Sequence, residues 1–114
     1  MIDFGIIEHK IEDKIMTIKK CETLEEARVE IDAVDKEIVI LIAKRNEYIK
    51  QIAHFKTSVE EVKAEERIND VISKVRSQAI SLDLSPNLIN DLYVRMIDEM
   101  VENEISEFKN AQRY

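Results

Sequence analysis

Between Thr23 and Phe55 the chain contains neither glycine nor proline, and apolar residues return at every seventh position. One row runs Leu24, Ile31, Ile38, position 45 and Ile52; a companion row runs Ala27, Val34, Leu41, Tyr48 and Phe55. Such a repeat is the apolar stripe of one very long packed helix. Elsewhere the only residues suited to sharp turns of that kind are Gly5 and Pro86. Hairpins and phosphate-cradling glycine loops have almost no material to form from. The expected fold is all-α.

Charge and composition narrow the function classes. Hydrophobic residues make up 45% of the chain and charged residues 36%, which fits amphipathic helices of a folded, soluble protein and not a disordered chain. Twenty-four Asp and Glu against 17 Lys and Arg argue against a nucleic-acid partner. The longest apolar runs, such as Ile38–Ala43, are too short to span a bilayer, and no signal-peptide pattern precedes them. Cys21 is alone, so no disulfide framework is expected, and a free thiol suits a reducing cytoplasm. His9 and His54 match no metal-ligand spacing and read as surface residues. Neither a metal nor a cofactor is expected.

Residues 1–20 carry a weak helical pattern (Ile7, Ile11, Ile15, Ile18) and read as an N-terminal extension to a helical domain over 21–114. Thr23-Leu24-Glu25-Glu26 is a capping box that opens the first helix, which should run to about Phe55 or Lys56. Thr57 to Lys63 reads as a loop whose composition also allows extra helical turns. A second helix is expected from about Ala64 to Ser81, with Ile68, Val71, Ile72, Val75 and Ala79 inward. Ser85-Pro86 then supplies an N-cap and a first-turn proline for a third helix to about Gln112. The result is a three-helix chain. Its first helix would be about 50 Å long at ~1.5 Å per residue, against a diameter of about 35 Å for a compact domain of this size. The overhanging stripe needs a second chain to cover it, most simply in a two-fold dimer.

Several polar residues break the apolar faces. Arg45 stands in the first row where an Ile or Leu belongs, and a guanidinium there needs an anion or a full set of acceptors. Lys56 follows eleven residues later, about 16 Å along a straight helix, so the two long side chains could bracket a small dianion. Arg28 precedes Arg45 by seventeen residues, about 25 Å, and could reach such a site only in a second copy. Arg67 lies beside the second helix's apolar face, and Glu104 interrupts the third helix's face one repeat beyond Met100. Plainer readings stand beside these. Arg28 could pair with Asp32, Arg45 with an acid on another helix, and Glu104 with an arginine. Lys56 and Arg67 could be solvated surface charges.

The ordered set Arg28-x-x-Ile31-Asp32-x-x-Asp35, Arg45, Tyr48-x-Lys50 and Phe55-Lys56 resembles the all-helical chorismate mutase family over about Cys21 to Phe108. It is most similar to the isochorismate pyruvate lyase branch, through Cys21, the Tyr48 to Lys56 stretch and the Ser58 to Arg67 segment. The resemblance implies an intertwined homodimer with sites shared between chains, and a small dicarboxylate substrate carrying an enolpyruvyl ether. It also implies substrate-binding roles for Arg28 from a second copy, Arg45 and Arg67. Lys56 would bond a carboxylate and the ether oxygen. Glu104 falls where the family usually has a glutamine that donates to that oxygen, so it would have to be protonated to help. Glu66-Arg67 inverts the Arg-Glu order of typical mutases. The preferred reaction is therefore conversion of isochorismate to salicylate and pyruvate. Chorismate to prephenate is the alternative, followed by an amino-deoxychorismate rearrangement. The rival from another class is a non-catalytic helical dimerisation module.

Overall fold

The computed structural model describes residues 18–112. They form four helices: α1 Leu24–Ala53, α2 Val59–Lys63, α3 Glu65–Ser81 and α4 Pro86–Gln112. The three long helices are the expected ones, in the expected order, and the described residues hold no strand. No helix among them is long and apolar enough to cross a membrane. The extension assigned to residues 1–20 lies almost wholly outside the described residues.

Each boundary has a local cause. At the start of α1 the Glu26 N–H donates to Thr23 Oγ1 at 3.1 Å. The Glu26 carboxylate accepts from the Glu22 N–H at 2.9 Å, one residue earlier than the usual capping box. The helix ends at Ala53, short of the expected Phe55 or Lys56. From there the chain tightens: His54 donates to Gln51, Phe55 to Ile52 and Lys56 to Ala53, each a three-residue step.

The expected loop over 57–63 instead contains α2. Ser58 is its N-cap, in extended backbone, with Oγ accepting the Glu61 N–H at 3.2 Å. Ala64 then separates α2 from α3 in the left-handed region, at φ 30° and ψ 60°. Asp83 takes the same region after α3, at φ 58°. There Asp83 N–H donates to Ile80 O (3.2 Å) and Leu84 N–H to Ala79 O (2.8 Å), a Schellman closure without glycine. Ser85 Oγ accepts the Leu88 N–H at 3.2 Å and opens α4 as expected.

Contacts divide the chain into Met1–Val39 and Ile40–Tyr114. The first unit contains the opening turns of α1, where Val29, Ile31, Val34 and Ile38 are exposed. In the second, α2 and α3 pack on α4. Ala53, Val62, Ala79, Ile97, Met100 and Phe108 form its buried centre. The part of α1 in this unit is covered along Arg45, Asn46, Ile49 and Ala53, an edge that shares only position 45 with the apolar rows. Leu41, Tyr48 and Phe55 of the companion row remain exposed, Phe55 by 81%. One chain covers little of the heptad repeat of α1 beyond position 45.

Candidate active site

The second unit contains a cavity of about 100 Å³. α1 supplies Arg45, Ile49 and Ile52 to its wall, the following turn Lys56, and α2 Val62. Ala64, Arg67, Ile68 and Val71 line it from the α3 side, and Ile97, Met100, Val101 and Glu104 from α4. The apolar members explain the location, because they are the inward faces of amphipathic helices meeting at one point. Lys56, Ala64 and Arg67 also line an outer groove with Glu61, Glu65 and Glu66. An apolar cavity of about 150 Å³ takes benzene, so a substituted ring would have to extend outward along this shared wall.

Four of the five residues singled out from sequence meet at this cavity: Arg45, Lys56, Arg67 and Glu104. Arg28 is not among its lining residues. It lies in the first unit, exposed, with Nη1 3.2 Å from Glu25 Oε1. Its partner on the helix is thus Glu25 and not the Asp32 that spacing also allowed.

Arg45 is half-buried and has no carboxylate partner among the described residues. Its Nη1 lies 2.7 Å from Met100 Sδ, and its guanidinium carbon 5.9 Å from the centre of the Tyr93 ring. A thioether is a weak acceptor, and an aromatic face attracts the cation without neutralising it. The charge therefore remains available to an anion in the cavity. Lys56 likewise forms no ion pair among the described residues; its Nζ donates to the Glu61 backbone O at 3.1 Å. Arg67 is committed elsewhere. Its Nη1 is 3.0 Å from Asp70 Oδ2, which Lys74 also approaches at 2.9 Å. The bond from Lys74, with Arg67 adding to it, holds the Asp70 carboxyl below its ordinary value.

Glu104 is 5% exposed and makes no side-chain hydrogen bond or ion pair among the described residues. Burial pushes its carboxyl above the ordinary value, and the positive charge of Lys56 opposes that rise. The direction follows from desolvation, which penalises the ionised form. A protonated Glu104 presents one O–H donor to the cavity.

Three contributors escaped the sequence reading. Met100 and Tyr93 were not singled out, although they flank the Arg45 head. Glu61 was passed over in a presumed loop, although Ser58-x-x-Glu61 is a capping-box spacing visible in the sequence.

No curated protein sequence matches the chain. A family model, Chorismate mutase type II, matches residues 27–105, a span that holds Arg28 and every residue lining the cavity. By that match, which covers more than half of its length, the chain belongs to the chorismate mutase type II family.

Proposed function

We propose that this chorismate-converting pericyclic enzyme rearranges chorismate to prephenate, using the cavity beside Arg45 and no cofactor. The family supports the mutase reaction, and one structural observation carries the choice of site. Arg45 stands at the cavity wall with a sulfur and an aromatic ring beside it and no carboxylate partner among the described residues. Such a cation is suited to a carboxylate guest, which it can hold by two parallel hydrogen bonds.

The chemistry asks little covalent work of the protein. One C–O bond of the enolpyruvyl ether breaks while a C–C bond forms between the side-chain methylene and the ring, so substrate and product are isomers. Clamping both carboxylates selects the compact conformer in which those carbons meet, an entropic contribution. Negative charge then grows on the ether oxygen, where fixed donors act most strongly. We assign Lys56 and protonated Glu104 to that oxygen, Arg45 to one carboxylate and Arg67 to the mouth of the site. Arg28 of a second copy holds the other carboxylate in a homodimer built along the exposed stripe of α1. Residues 21–114 are the catalytic domain, 1–20 an appended segment, and the cytoplasm the working compartment.

The lyase reading has one observation in its favour. Glu66 lines the outer groove and not the cavity, so Glu104 is the one carboxyl on the cavity wall among the described residues. A substrate hydroxyl would then lack the acidic partner that typical mutases offer it. In this second reading the C–O bond of isochorismate breaks as a ring hydrogen moves to the methylene carbon, giving salicylate and pyruvate.

Product identification separates the two. Chorismate and isochorismate are incubated separately with the protein, and the products are resolved by chromatography. Prephenate from chorismate is the expected result; salicylate from isochorismate alone would favour the lyase. Lys56→Ala should lower kcat by roughly 100-fold or more, as loss of a preorganised charge stabiliser does. Unchanged turnover in that variant would remove Lys56 from the reaction.

A further inference from the structure

Three polar groups from two adjacent residues converge on Glu61. The Thr57 N–H donates to one of its carboxylate oxygens at 2.8 Å, and the Thr57 hydroxyl to the other at 2.8 Å. Lys56 Nζ donates to its backbone carbonyl at 3.1 Å. In return the Glu61 N–H is capped by Ser58 Oγ at 3.2 Å. The box at the start of α1 has the same offset but is sparser, with Glu26 accepting only the Glu22 N–H. A helix cap alone needs no more than that one return bond.

The extra bonds sit where a lysine must be aimed. α2 has five residues, too few to persist without support, and it is anchored through Val62, which is 2% exposed. Thr57 occupies both carboxylate oxygens of Glu61, and Lys56 donates to the backbone carbonyl without a salt bridge among the described residues, although its charge helps hold the Glu61 carboxyl below the ordinary value. Its ammonium is steered by a carbonyl and not locked in an ion pair. Had the carboxylate paired with Lys56, the charge offered to an anion in the cavity would have been largely cancelled.

We propose that Glu61 is a positioning residue, whose carboxylate clamps Thr57 and whose carbonyl aims the Lys56 ammonium at the cavity. This rests on the reading of Lys56 as the group that meets the ether oxygen. Glu61 itself touches no substrate.

The test uses the full chain with Glu61→Ala, Glu61→Gln and Thr57→Val, each checked for helical content by circular dichroism. Two readouts are taken. The first is kcat and KM on the substrate that the wild type converts. The second is the rate at which an amine-reactive reagent acetylates Lys56 without substrate, followed by peptide mass spectrometry. Glu61→Ala should lower kcat roughly tenfold, with KM changed less than about twofold, because misplacing a reacting group costs rate more than affinity. It should also speed acetylation of Lys56. Glu61→Gln keeps an acceptor for Thr57 and should recover most of both, and Thr57→Val should fall between. Unchanged acetylation in Glu61→Ala, or unchanged kcat in an active enzyme, overturns the proposal. So does a Glu61→Gln variant as impaired as Glu61→Ala. A wild type that converts neither substrate would sink the functional reading by itself, and the acetylation rates would still decide the role of Glu61.

Discussion

Glu104 is a buried carboxyl whose proton the proposed reaction also uses. Desolvation raises its carboxyl above the ordinary value while Lys56 opposes the rise. With the folded-state pKa raised, the stability linked to this group is complete below the unfolded pKa. It is lost as pH climbs through the folded value, because the ionised form must then be buried. Glu104→Gln has no such charge. Its thermal midpoint should therefore gain on the wild type as pH rises from the acid side to neutrality, a comparison calorimetry can make. The same titration governs activity if the protonated form donates to the ether oxygen: wild-type kcat should fall with rising pH, and that of Glu104→Gln should not. Parallel profiles would remove Glu104 from the chemistry. Arg45 and Glu104 were legible in the sequence because each interrupts an apolar pattern, and Lys56 through its eleven-residue spacing from Arg45. The company each keeps was not legible. Nothing in spacing foretold that Arg45 would meet Met100 and Tyr93, whereas the turn of Arg67 toward Asp70 is an i,i+3 pair that spacing allowed and the reading passed over.

The elements were read from their signals where those signals were local. Thr23 with Glu26, and Ser85 with Pro86, placed two helix starts correctly, since side chain and backbone settle the matter within one turn. The end of α1 was set too late, because Phe55 continues the apolar row while the backbone has already tightened after Ala53. The boundary near Ala64 was placed from the sequence, but its conformation was not, since sequence gives no cue for an alanine in the left-handed region. That conformation costs a non-glycine residue about 1–2 kcal/mol. Glycine removes the cost but adds about 0.4–1 kcal/mol of unfolded-state freedom. Ala64→Gly should therefore gain roughly 0.5 kcal/mol in denaturant unfolding, and Ala64→Val should lose stability, because a branched Cβ fits that region worst. Equal stability in all three would mean that the junction is not strained.

For the whole molecule, the heptad stripe of α1 is the surface that the sequence reading assigned to a second chain, and a single chain leaves it exposed. Ile31, Val34, Ile38 and Leu41 remain exposed, a row no isolated protomer keeps without cost. If a second copy covers it and lends Arg28, each site draws on two chains. Arg28→Ala and Lys56→Ala would then each disable both sites of their own dimer. Mixed after dissociation and reassociation, they would place both defects in one site and restore the other. The decisive measurement is turnover of such a one-to-one mixture. Recovery to about a quarter of wild-type activity, from two parents that are each nearly inactive, is the expected result for random exchange in a two-fold dimer. A mixture no more active than its parents, with exchange verified by mass, would contradict a site built from the cations of two copies.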